Sequence, residues 1–423
     1  MKQLAGTTGL GLRNSESLRW QMLCLVIFAA AVAVVLRRPD VLSNAQFYAE
    51  DGAIWYADAY NLGGLHALTI TAGGYFNSLQ RLVAAFSLLF PLRYAPLVMN
   101  VFGIIIQVLP VFFLLSSRCV NWWPLKIRLL QAAIYAAIPN SSEIHVVLTN
   151  APFHLALLAF LVATATPPLN WQWKIFDAVV LVICPLSGPF CIILLPLVLV
   201  FWWLRRQRWS LIVAAILAPL VALQGTVLLL KGYAGRAPAE LGATPMLFLR
   251  ILAGQVYVGA IHGRNQFALR AHPALILVVL LLGSSVLAYC LWTASLELRL
   301  FILYGLLLFA ASLSKPLISG SRPLWELLAG DAGSRYWFLP TLALLWSLLW
   351  CATQQYSRPF YIFGIVGLIA MLNGVVRDWR YRPYKDEHFQ EYVNRFEAAP
   401  VGAVVEIPIF PDGVLVHLKK KSF

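Results

Sequence analysis

The sequence is short of charge. Only 12% of its 423 residues are Asp, Glu, Lys or Arg, while 60% are hydrophobic. A soluble domain carries about twice that charge fraction, so an ordinary water-soluble globular protein is excluded. Acids are scarcer still: 18 Asp and Glu stand against 32 Lys and Arg, for a net charge of +14. The positive excess does not point to nucleic acid, because the basic residues are scattered between apolar runs. It suits anionic lipid headgroups or a lipid-linked phosphate. Cysteine is sparse as well. The six cysteines lie in or beside apolar runs, with no spacing that suggests a metal site or a disulfide framework. There is no short-period repeat and no low-complexity tract.

What is present is a succession of apolar runs that approach the roughly 20 residues needed to cross a bilayer. The sequence predicts an all-α polytopic membrane protein of about eleven transmembrane helices. They fall at 18–36, 95–115, 129–138, 154–165, 175–186, 189–204, 210–230, 273–292, 298–313, 336–351 and 360–376. Arg37-Arg38 follows the first run and no Ala-x-Ala-type site does, so that helix reads as retained. Residues 79–90 are too few for an ordinary span and read as a tilted or interfacial helix. Residues 246–260 read as a helix in the interface. The body is 1–376, with outer loops at 37–94, 231–272 and 314–335. A small α/β tail, 377–423, follows, with strands at 404–409 and 414–418 about a Pro-Asp-Gly turn.

Two basic clusters mark the inner side: Arg118, Lys126 and Arg128 with Trp122 and Trp123, then Arg205, Arg206 and Arg208. The N-terminus is then inside and the tail outside. Fifteen of the 18 acids fall on the outer side, leaving Glu16, Asp177 and Glu297 as exceptions.

The stretch QFYAEDGAIWYAD, residues 46–58, places Glu50, Asp51 and Asp58 close behind the first span. An ionisable pair at the edge of hydrocarbon marks a functional site by default. The same outer side collects Tyr75, Arg81, Glu143, His145, Asn150 and His154, then Arg236, Arg264, Lys315, Arg322, Arg335 and Tyr336. Sugar transfer from a lipid phosphate needs this mixture. A carboxylate takes the acceptor hydroxyl's proton, cations neutralise the departing phosphate, and aromatic and amide side chains hold the sugar. Each residue also has a plainer role. Asp51 suits a helix cap, single arginines suit interfacial snorkelling, and buried histidines are more often structural than ligands. The joint pattern favours chemistry. A lipid-linked glycan flippase or other transporter is the main alternative, although no pair of related halves is visible. A membrane acyltransferase or polymerase is a third, resting on His145 and His154.

Ala49-Glu50-Asp51-Gly52 in the first outer loop and an acid in the second resemble the GT-C glycosyltransferases. These are polytopic enzymes that use polyprenyl-phosphate sugars. Residues 139–157 and 332–340 are similar to bacterial membrane proteins of that superfamily, and the O-antigen glucosyltransferases are a comparable group. The resemblance implies an inverting hexosyltransferase of the bacterial inner membrane with its site facing the periplasm. It implies Asp51 as general base with Glu50 next in line, and Glu143 positioning a substrate. Arg264, Arg322 and Arg335 would face the phosphate, Tyr75, Asn150 and Tyr336 the sugar, with Arg81 and His154 beside them. Some members use a divalent cation, Mg or Mn, which Asp51 and Glu143 would share. The short tail departs from larger members and favours a lipid-linked or cell-envelope glycan acceptor.

Overall fold

The structure, a computed structural model, describes residues 7–231, 240–318, 321–330, 332–354 and 356–422, with side chains from residue 21 onward. Arg236 and the Glu16 side chain lie outside these. Helices dominate, as a chain in hydrocarbon requires: backbone polar groups must be satisfied within each segment. Among the described residues, seven helices are long and apolar enough to cross a membrane: Leu92–Leu115, Arg208–Lys231, Pro245–His262, Pro273–Thr293, Leu296–Ser314, Ser334–Thr353 and Arg358–Asp378.

This corrects the expectation of eleven. Six of the seven coincide with expected spans. The seventh, Pro245–His262, is the segment that the sequence laid in the interface. Four of the other five expected spans form shorter apolar helices: Leu125–Ala137, Ala151–Thr164, Trp171–Ile183 and Phe190–Arg205. The first lies within the 31-residue helix Thr7–Arg37, of which Gln21–Arg37 is the apolar part with described side chains. A helix of 13 residues is about 20 Å long, well under the roughly 30 Å of hydrocarbon. Hydropathy alone does not separate a helix that meets lipid from one sheathed by protein. Ala151–Thr164 is sheathed: all of it but Phe153 is buried. Residues 79–90 form a short helix, Ser78–Ser87, as expected.

Burial sorts the long helices. Ser334–Thr353 is central, with 83% of its most apolar window inside the protein, against 17% for Arg358–Asp378. Trp337 and Trp346 anchor it, both fully buried. Trp346 packs against Phe301 at 4.8 Å and Trp122 at 5.8 Å between ring centroids. Gly305 lets Leu296–Ser314 lie close against it, since a Cβ there would sit 3.1 Å from the Leu339 carbonyl oxygen.

At the end carrying the basic clusters, the two described acids that broke the charge pattern are each paired. Asp177 takes two bonds from Arg118, at 3.1 and 2.7 Å. Glu297 takes one from Arg205 at 2.9 Å. Both carboxylates are buried, and a buried charge stays folded only when paired.

The opposite end carries the acidic loops and the tail. Strands β1 (Val404–Ile409) and β2 (Val414–Lys419) pair antiparallel, and Phe389, Val393 and Phe396 of the Phe389–Ala398 helix share their core. The tail is clamped to the first loop. Ala49 N–H donates to the Phe410 carbonyl at 2.7 Å. The Asn61 side chain donates to His417 O and accepts from Lys419 N. Gln46 likewise holds Lys385 O and Glu387 N. Gly52 makes the contact possible: a Cβ there would lie 2.7 Å from Phe47 and 2.8 Å from Val416.

Candidate active site

Two cavities open at this end and share one wall. That wall is an ion pair, Arg335 Nη1 to Glu143 Oε2 at 2.9 Å. Arg335 lines the smaller cavity, about 440 Å³, and Glu143 the larger, about 990 Å³. The pair is held from both sides. Glu143 Oε1 accepts from Gly333 N–H at 2.7 Å, and its own amide donates to Ser334 Oγ at 3.0 Å. Arg335 also donates to the Leu317 carbonyl and to the Tyr336 hydroxyl. Tyr336 in turn accepts from Leu317 N–H at 2.6 Å. Asn150 Nδ2 ties in by donating to the Glu143 carbonyl at 2.8 Å.

The lining of the smaller cavity is part polar and part apolar. Glu50, Tyr75, Asn150, Lys315, Arg335 and Tyr336 supply the polar part. Ile192, Ile193, Leu228, Leu308 and Ala311, all on helices, supply the aliphatic part. Of the sequence-predicted residues, Glu50, Tyr75, Asn150, Arg335 and Tyr336 therefore meet in one place, from four separated stretches of chain. Thr149 Oγ fixes the acid, donating to Glu50 Oε2 at 3.5 Å while accepting from Trp55 Nε1 at 3.0 Å.

Asp51 does not line either cavity. The π-helical turn Asp51–Tyr56 begins here, and successive residues on a helix point about 100° apart. Glu50 turns to the cavity and Asp51 turns inward, where it is 1% exposed and its Oδ1 has no hydrogen-bond partner. Burial raises its pKa well above the usual carboxylate value, and the charge of Glu50 adds to this; the amides of Leu148 and Thr149 offset it only in part. π-Helical turns occur often at functional sites, and left-handed backbone at non-glycine residues does likewise. Ala49, with φ 43°, sits beside the two acids, and Asn140 and Val146, with φ 52° and 58°, flank Glu143.

Other expected residues fall elsewhere. Arg264 lines the larger cavity. Arg81 lines neither; it is buried, pairs with Asp58 at 2.9 Å and lies under the Trp55 ring at 5.1 Å. These contacts brace the loop. His154 is buried between Tyr135 Oη at 2.8 Å and Ile144 O at 3.0 Å, away from both cavities. His145 is similarly held by Gln107 and Val34 O; burial, then Arg37, push its pKa well below the usual value, so it is neutral. Arg322 is exposed and lines neither cavity.

Asp51 and Glu143 do not suit a shared divalent cation. Glu143 spends both oxygens on Arg335 and Gly333, Asp51 faces neither cavity, and no three His, Cys, Asp or Glu side chains cluster among the described residues. Sequence reasoning missed the wall of the larger cavity formed by Arg38, Tyr48 and the run from Arg377 to Lys385. The alternation of basic and aromatic residues in RDWRYRPYK, residues 377–385, was the available signal. Comparison of the chain with protein-family models and with curated proteins finds no match.

Proposed function

We propose that the protein is a membrane glycosyltransferase that moves a hexose from a polyprenyl-phosphate donor to a lipid-linked or cell-envelope glycan. One observation carries the reading: a cavity lined on one part by an acid, cations, an amide and tyrosines, and on the other by aliphatic side chains. A substrate with a sugar-phosphate head and a hydrocarbon tail matches both halves. Soluble substrates would leave the aliphatic half wet, and transfer of apolar surface out of water is the larger driving force.

In this reading Glu50, not Asp51, is the general base, because it is the acid that lines the cavity. Glu50 takes the proton of the acceptor hydroxyl as that oxygen attacks the anomeric carbon. The bond from that carbon to the phosphate oxygen breaks on the opposite face, with inversion. Arg335 and Lys315 receive the charge that gathers on the departing phosphate. Tyr75, Asn150 and Tyr336 hold the sugar. The buried Asp51 positions Glu50 and resists a second negative charge beside it. No step passes through a metal. The site faces the periplasmic side of a bacterial inner membrane, the orientation that the charge pattern supports.

The test is transfer itself. Vesicles with and without the chain receive a polyprenyl-phosphate [14C]hexose, and label is counted in the lipid-linked and glycan fractions. The reading predicts transfer that Glu50→Gln lowers by about 10²–10⁴. Absence of transfer, with chain-dependent movement of lipid-linked glycan across the bilayer, would replace it with a flippase.

A further inference from the structure

The larger cavity is strongly cationic. Arg38, Arg264, Arg377, Arg380, Arg382 and Lys385 line it, against Glu143 and Asp378. Arg264 has a partner of its own. Glu143 is taken by Arg335, and Asp378, whose Oδ2 accepts from the amides of Asn140 and Arg264 at 2.8 and 2.9 Å, offsets at most one of the other charges. Lys385 has its own partners in Glu387 and Asp412, both at 3.1 Å. Exposed arginines at a rim could rest in water alone. Arg38 does not: it is 5% exposed. Its guanidinium lies over the Tyr384 ring at 4.0 Å and near the Tyr381 ring at 5.5 Å. Its Nε is buried without a hydrogen-bond partner, and among the described residues it has no carboxylate within ion-pair distance. The Tyr384 hydroxyl, on the same wall, is also buried and unpartnered.

A buried cation without an anion is unfavourable by several kcal/mol, and arginine's fork matches a tetrahedral oxyanion. We propose that the larger cavity binds a phosphate-class anion, with Arg38 and Tyr384 at its floor and Arg377, Arg380 and Arg382 at its rim. The anion enters beside Glu143, across the shared wall from the sugar-bearing cavity. Its role as the acceptor's charged group rests on the transferase reading; the binding itself does not. A lipid pyrophosphate headgroup and a phosphate on a soluble glycan share this chemistry.

The experiment is calorimetric titration of the detergent-purified full chain, without donor, using inorganic pyrophosphate and, in a second arm, farnesyl pyrophosphate. The proposal predicts saturable binding of inorganic pyrophosphate, weakened about tenfold or more by Arg38→Gln and several-fold by Arg382→Gln. Arg93→Gln, which alters a surface pair with Glu397, leaves it unchanged. Arg382 is exposed, so its substitution does not threaten folding and keeps the test decisive if Arg38→Gln misfolds. Tighter binding of farnesyl pyrophosphate assigns a lipid headgroup, and equal binding assigns a soluble phosphate; both outcomes support the site. No binding by the wild-type chain, or equal binding by wild type and Arg382→Gln, overturns it. Pyrophosphate binding without any hexose transfer would keep this site and remove the transferase reading.

Discussion

Arg335→Lys separates what the shared wall does for folding from what it does for chemistry. Lysine keeps the charge but not the fork. Arg335 now serves Glu143 at 2.9 Å, the Leu317 carbonyl and the Tyr336 hydroxyl at once, and lies over the Tyr336 ring at 4.8 Å. A lysine lacks the second nitrogen by which the guanidinium serves the Leu317 carbonyl and Tyr336 hydroxyl while the first serves Glu143. The pair's side chains are 17% and 21% exposed, between a surface pair worth about 0–1 kcal/mol and a buried pair whose disruption costs about 3–5 kcal/mol. Glu143 keeps its bond from Gly333 N–H. We therefore expect a stability loss of about 1–2 kcal/mol. Under the proposed transfer the rate loses more, because one donor aimed at developing charge is worth about 3–4 kcal/mol, or 10²–10³ in kcat. The assay pairs initial rates of hexose transfer with thermal melts of the same detergent preparation. A variant within threefold of the wild-type kcat would refute the role given to Arg335. So would a rate that falls only in proportion to the folded fraction.

Further expectations concern the fold around the site. Because Asp51 has a raised pKa in the folded chain, that chain binds one more proton than the unfolded one between the two pKa values. Its contribution to stability is then lost as pH rises above about 4, by about 1.4 kcal/mol per unit. Asp51→Asn removes the slope, so its melting temperature should gain on wild type as pH rises above about 4; a constant difference would show that Asp51 ionises normally. Gly52→Ala drives a methyl into Phe47 and Val416 and should lower stability by about 1–3 kcal/mol, with limited proteolysis cutting the tail first. On a cysteine-free background, Val401→Cys and Asp412→Cys, 66% and 71% exposed, should react with an impermeant thiol reagent from one side of a sealed vesicle. Leu169→Cys, 95% exposed, should react from the other; labelling of all three from one side would break the bundle's polarity.

Much of the candidate site was legible because scarcity makes a residue conspicuous. With 18 acids in the chain, Glu50, Asp51 and Glu143 stood out, and Arg335-Tyr336 opened a helix facing them. The sequence could not say which of two adjacent carboxylates looks into the cavity, because that depends on the pitch of one π-helical turn. Arg81 resembled a ligand-binding cation because its partner Asp58, 23 positions away, resembled a free acid. His154 resembled one because its hydrogen bond to Tyr135 joins two helices that no local pattern relates. The tail read as a separate appendage because its clamps, Asn61 to β2 and Gln46 to Lys385, span more than 300 residues. The membrane character was plain from composition, but the span count was not. Short helices such as Trp171–Ile183 are as apolar as long ones, and length against the bilayer decides.

The account turns on Glu50 as the acid at work in the smaller cavity. The most direct measurement compares single-turnover release of hexose from a polyprenyl-phosphate [14C]hexose by wild type, Glu50→Gln and Asp51→Asn. The account predicts a loss of about 10²–10⁴ for Glu50→Gln, with Asp51→Asn retaining a tenth or more of the wild-type rate. A Glu50→Gln variant that turns over at the wild-type rate would contradict it.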